Sequence, residues 1–138
     1  MTDEEVRELL ASAKVIAVVG LSANADRPSN QIAWYLSHQG YELYGVNPFL
    51  EGGDVDGVPV VGRLDQVPKP IDVVDVFRRS EYTPEVARAA VAVGAGALWL
   101  QLGIVSTEAR RIATEAGLDY VEDECTAIVH RRGLRGPG

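Results

Sequence analysis

"VVGLSANADRPS", residues 18–29, decides the reading of this chain. A β-branched run stops at Gly20, a polar turn leads to Pro28 and Ser29, and "NQIAWYLSHQG" then reads as a helix. A buried strand, a glycine turn and a helix start together make a place where main-chain N–H groups and the helix dipole can hold an anion. The full three-glycine dinucleotide fingerprint is missing, so the stretch points to phosphate without naming the ligand.

Working outward, Thr2 and Glu5 have the spacing of a capping box, and Val6, Leu9, Leu10 and Ala13 form an apolar stripe over a helix at 3–13. "KVIAVVG" is apolar on both alternating faces, as a strand covered on both sides must be. The helix after the turn spans about 29–39, with Ile32, Ala33 and Leu36 inward and Gly40 as its stop. "YELYGVNP" is the second strand, closed by Pro48, and a short strand fits 58–61 in the turn-rich stretch that follows. "PKPIDVVDVF" gives the next strand. Thr83 and Pro84 supply an N-cap and first-turn proline for a helix ending at Gly94. "GALWLQLG" is a strand, Ser106 caps a helix ending at Gly117, "LDYVED" is the last parallel strand, and "TAIVHR" is a short terminal segment.

Strands alternating with helices of this length predict an α/β fold: a single-domain, three-layer Rossmann-like architecture with a mainly parallel sheet. No repeat or linker divides the 138 residues. The domain is expected over 1–131, with 132–138 as a flexible, glycine- and proline-bearing tail. In such sheets ligands sit beyond the carboxyl ends of the strands, where strand order reverses.

Charge limits what the ligand can be. The formal net charge of −7 argues against general nucleic-acid binding, which needs basic surface, but leaves a small anionic ligand open. No apolar stretch has membrane-spanning length, so no membrane role is expected. The acidic start is unlike a signal peptide, and the lone cysteine fits a reducing compartment; the expected location is cytoplasmic.

At the strand ends, Gly20 to Asn24 can present amides to phosphate, with Ser22 and Asn24 adding side-chain donors. Ser29 stands near the helix start, either as a simple cap or as a ligand contact. After the second strand the chain reads "VNP", where a typical NAD site carries an acid; Asn47 either faces a ligand or fixes a turn. After "IDVVDV", Phe77 could lie against an adenine ring, and Arg78 and Arg79 could reach phosphate or pair with Asp75, Glu81 or Glu85. Arg27, beside the first turn, has the same potential. Gln101 and Gly103 follow the "ALWL" strand; Trp99 reads as core.

Catalytic groups are scarce. His38 falls late in its helix, away from the strand tops, and His130 has no acid or nucleophile near it in sequence. Cys125 follows the last strand at the ligand edge, although Asp123 and Glu124 beside it oppose a thiolate. No carboxylate spacing marks a metal or acid–base site, and no catalytic or metal-ligating residue is assigned.

"VVGLSANADRPS", "GYELYGVNP", "IDVVDVFRR", "ALWLQLGIV" and "GLDYVEDEC" occur in the order found in small stand-alone CoA-binding proteins. The chain resembles that family, which is itself similar to the CoA-binding Rossmann-like domain of the succinyl-CoA synthetase alpha subunit. The resemblance covers about residues 10–131. It implies coenzyme A, free or acylated, lying across the strand tops as a ligand. By position it implies contacts from Gly20, Leu21, Ser22 and Ala23, from Asn47 and Pro48 near the adenosine end, and from Val76, Phe77 and Arg78.

The chain departs from the synthetase pattern twice. Phe49, Leu50 and Glu51 stand where a basic residue follows the second strand, which leaves the 3′-phosphate to Arg27 or Arg78. The 138 residues stop before the synthetase domain that supplies the phosphorylated histidine, so no ligase activity is expected. Non-catalytic binding of CoA is therefore the expectation, against a nicotinamide-binding redox sensor or a thiol carrier or enzyme using Cys125.

Overall fold

The structure, a computed structural model, describes residues 1–134. Its elements follow the predicted order, with one strand at Asp54–Val55 that was not expected and a fifth helix, Thr126–Leu134, in place of the short terminal segment. They are α1 (Asp3–Ser12), β1 (Val15–Val19), α2 (Pro28–Ser37), β2 (Glu42–Val46), β3 (Asp54–Val55), β4 (Val58–Val61), β5 (Val73–Val76), α3 (Thr83–Ala92), β6 (Ala97–Leu100), α4 (Thr107–Glu115), β7 (Asp119–Val121) and α5 (Thr126–Leu134).

The strands form one sheet in the order β3-β4-β2-β1-β5-β6-β7. All pairings are parallel except β3 with β4. From β1 the chain winds outward through β2 to β4, then returns to place β5 on the other side of β1. The reversal therefore falls between β1 and β5, and a crevice opens beyond their carboxyl ends.

Strand alternation divides the core into two layers. Ile16, Val18, Val73 and Trp99 pack with Val6 and Leu10 of α1, Ala33 and Leu36 of α2, and Val129 of α5. Ala17, Val19, Val74, Val76, Leu98 and Leu100 pack on the opposite face with Val86 and Ala90 of α3 and Ala109 and Ala113 of α4. Trp99 is fully buried, and its indole N–H donates to the Glu124 carbonyl at 2.8 Å. That bond ties the β7–α5 loop to the core.

The helix signals held in part. Thr2 and Glu5 form the capping box, and Ser106 Oγ accepts the Ala109 N–H at 3.1 Å. Thr83 is the first residue of α3 rather than its cap; its buried hydroxyl donates to the Ser80 carbonyl at 2.7 Å. Tyr82, the last residue of a short 3-10 turn, takes the cap position instead. The segment "TAIVHR" is the start of α5, which runs on through Arg132, Gly133 and Leu134 where the sequence suggested a tail. The rest of that expected tail, 135–138, lies outside the described residues.

Gly20 permits the turn after β1. Its φ is +89°, and a Cβ built there would stand 2.6 Å from the Phe77 carbonyl oxygen. Neither the backbone angle nor the approach of β5 tolerates a side chain. Gly20→Ala is expected to cost roughly 3 kcal/mol of stability. Gly40→Ala, with a φ of +91° but open space around it, should cost about 1 kcal/mol. Denaturant midpoints of the two variants check this order; equal losses would remove the argument from close approach.

Candidate functional site

The crevice between β1 and β5 opens into a cavity of about 690 Å³. That volume is in the range of small-molecule sites, roughly 300–1,000 Å³. Gly20, Ser22, Arg27 and Ser29 line it from the first turn and the start of α2, Phe77, Arg78 and Arg79 from the end of β5, and Gln101 and Cys125 from the ends of β6 and β7. Ile32, Leu102, Ile104 and Ile128 supply its apolar wall.

The first turn is already ordered by its own side chains. Ser29 Oγ accepts the Ser22 N–H at 3.0 Å, and Ser22 Oγ accepts the Asn24 N–H at 3.0 Å. Asn24 Oδ1 accepts the Asp26 N–H, and Asn30 Nδ2 donates to the Ser22 carbonyl, both at 2.9 Å. Ser29 thus shapes the turn rather than capping α2, whose N-cap Arg27 makes no side-chain cap bond. Among the described residues, the amides of Ala23 and Ala25 in the exposed outer turn, and of Ser29, which lines the cavity at the start of α2, have no hydrogen-bond partner; the equally unpaired Leu21 amide is buried. The first three are the donors left for an anion.

Three guanidinium groups border the same space. Arg79 lies 4.0 Å from Glu81, with both side chains exposed. Arg78 stacks over the Tyr82 ring at 4.9 Å. Among the described residues, neither Arg78 nor Arg27 forms an ion pair. Leaving two cations without carboxylates on a chain of net charge −7 favours an incoming anion.

Other residues singled out from the sequence stand apart from the cavity wall. Leu21 and Val76 are fully buried, Leu21 beneath Gly45, so their side chains belong to the core. Ala23 and Asn24 are exposed in the outer part of the turn. Asn47 fixes the bend after β2, donating to the Leu21 carbonyl and accepting the Phe49 N–H, both at 2.9 Å. Pro48 begins the 3-10 turn beyond it. Gly103, at φ +84°, donates its N–H to Asp123 Oδ1 at 2.7 Å. His38 is exposed, and His130 bonds the Tyr35 hydroxyl through Nδ1 at 2.8 Å, beside a different hollow.

Beneath the cavity floor lies a buried polar cluster that the sequence left unassigned. Asp75 is fully buried with no cation beside it; Gln101 Nε2 and the Thr126 hydroxyl donate to its two carboxylate oxygens. Gln101 Nε2 also donates to Thr126 Oγ1 at 2.8 Å. Burial pushes the Asp75 carboxyl up to about 7, while the bonds from Gln101 and Thr126 pull the other way. The one sequence signal was an acid at an inward position of "VVDV"; its partners lie 26 and 51 residues away.

Comparison with known proteins gives the family and the fold. A family model for the CoA binding domain matches residues 14–131. The protein YneT of Bacillus subtilis (strain 168) is 39% identical over 126 residues, 91% of this chain and 92% of its own. The structure of cell-free ID.343 from Thermus thermophilus superposes with a TM-score of 0.90 at 36% identity, covering 96% of this chain and 98% of the other. The apo dinucleotide-forming acetyl-coenzyme A synthetase 1 of Ca. Korarchaeum cryptofilum gives a TM-score of 0.69 at 22% identity, over 80% of this chain and 26% of that one, a likeness of fold. The chain belongs to the CoA-binding domain family.

The Asp75 cluster makes stability depend on pH. An unfolded aspartate titrates near 3.9. Between about 4 and about 7 the folded state therefore keeps a proton that the unfolded chain has lost. The Asp75 contribution to stability should fall as pH rises through that window, by about 1.4 kcal/mol per pH unit, and level off above it. Wild type minus Asp75→Asn, measured by denaturant unfolding from pH 4 to 8, should show this decline. A flat difference would contradict it.

Proposed function

We propose that this protein is a non-catalytic binder of coenzyme A or an acyl-CoA, with the pyrophosphate on the first turn and one arm of the ligand along the cavity. The observation that carries this reading is the meeting, at the sheet's reversal point, of free turn amides with two arginines that lack acidic partners. Family membership supplies the ligand class, and the cavity volume suits an organic ligand.

The nucleotide end is read less from side chains. Asn47 is engaged in its own turn, and Phe49 beyond it is 94% exposed with no cation alongside in sequence. The arginines around the first turn then carry the phosphate recognition, the 3′-phosphate included. This reading assigns no reaction to the site: Asp75, the carboxylate beneath the cavity floor, is sealed by Gln101 and Thr126. A protein that holds or senses the CoA pool of a reducing, cytoplasmic compartment fits these features, lone cysteine included. Among the described residues, no helix is long and apolar enough to cross a membrane.

Isothermal titration tests the ligand. CoA should bind more tightly than NAD, since the end of β2 carries Asn47 where a ribose-binding acid would stand. Arg27→Ala and Arg78→Ala should each weaken CoA roughly tenfold, about 1.4 kcal/mol, and make the remaining affinity less sensitive to salt. Tighter binding of NAD, or affinity unchanged in both arginine variants, would overturn the proposal.

A further inference from the structure

The phosphate argument uses only the β1 and β5 side of the cavity. The far side is built from β6 and β7, whose ends supply Gln101 and Cys125. From β1 to β7 there are three strand spacings, about 14 Å, which an extended pantetheine arm can cross.

Gln101 marks the path. The residue is only 3% exposed, and both hydrogens of Nε2 point into the protein, to Asp75 and Thr126. The other edge of the amide, Oε1, is a buried oxygen with no partner, in a residue that lines the cavity. An orphaned buried acceptor is destabilising, so this site is complete only when its occupant brings a donor. The pantetheine arm has two amide N–H groups and a hydroxyl; the adenine amino group and the ribose hydroxyl are the competing donors within the same ligand.

Beyond Gln101 stands Cys125, half-buried at the start of α5, where its carbonyl accepts the Val129 N–H at 3.0 Å. Asp123, the nearest acid in sequence apart from Glu124, has one carboxylate oxygen bonded to the Gly103 N–H. Glu124 is anchored through its carbonyl to Trp99. The thiol shares its wall with Ile104 and Ile128, an apolar setting suited to the thioethyl end of the arm.

We propose that the β6–β7 end of the cavity receives the pantetheine arm of CoA, with Gln101 Oε1 accepting an amide N–H, and that Cys125 exchanges with CoA disulfide to hold CoA as a mixed disulfide. The proposal rests on the CoA reading of the site. In the exchange, Cys125 gives its proton to solvent and its sulfur attacks one sulfur of CoA disulfide. The CoA S–S bond breaks, a Cys125–S–S–CoA bond forms, and the second CoA leaves as a thiolate that takes a proton from solvent. The oxidant is the CoA disulfide itself. Oxidised CoA is thereby converted to one free thiol and one protein-held moiety that any thiol reductant can release.

Intact-protein mass spectrometry over a time course tests this, with CoA disulfide and glutathione disulfide at equal concentration and reduced CoA titrated calorimetrically into the wild type in parallel. The expected result is a single CoA adduct, formed at least tenfold faster than the glutathione adduct because binding raises the effective concentration of the reacting sulfur. Dithiothreitol should remove it, and Cys125→Ser should abolish it. If reduced CoA binds but no adduct forms, or both disulfides react at the same rate, the thiol end of the ligand lies elsewhere and the proposal falls. If reduced CoA fails to bind, the ligand reading itself is what has failed; equal rates in that case overturn both.

Discussion

The approach of the first turn to the end of β5 is the constraint on which this molecule depends. Gly20 donates its N–H to the Val46 carbonyl at 3.0 Å, and Phe77 donates to Val19 at 2.9 Å, so β1 is gripped on both sides where it ends. Any Cβ at residue 20 would run into the Phe77 carbonyl. Because the chain can turn there without a side chain, the Ser22–Ser29 bond can form and α2 can start over the crevice. The same approach places Phe77, Arg78 and Arg79 opposite the turn. A single steric allowance therefore joins the sheet's reversal point to the cavity.

The cavity has two chemically distinct sides. Around β1 and β5 it is cationic and rich in main-chain donors, suited to phosphate. Around β6 and β7 it is apolar, with one unpaired amide oxygen and one thiol. A ligand carrying a pyrophosphate at one point and an amide-bearing, thiol-terminated arm at another matches that polarity. The arginines achieve local positive charge on a chain whose overall charge of −7 would repel a polyanion at long range. On the proposed reading, specificity lies in the crevice rather than in the surface field.

Local signals carried the fold well. Continuous apolar runs such as "KVIAVVG" read as doubly covered strands, and the glycines after α2, α3 and α4 marked their ends, because these features depend on neighbours in sequence. The site was legible where its residues directly follow a strand: Gly20, Phe77, Arg78 and Gln101 all reach the cavity. Burial decided the others. Leu21 and Val76 occupy the same strand ends but turn into the core, and Asn47 satisfies its own bend. The link from Asp75 to Gln101 and Thr126 spans three elements, so no local pattern could announce it. α5 was read short because its last turn carries Arg132 and Gly133, residues that weaken an apolar period.

The central claim is that the first turn is a phosphate seat and the β6–β7 end holds the ligand's arm. A crystal structure of the full chain grown with CoA tests it most directly. The account predicts pyrophosphate density against the Ser29 amide and the outer amides of the first turn with a guanidinium beside it, and the arm crossing Gln101. Density for CoA elsewhere on the molecule, with this turn bare, would contradict it.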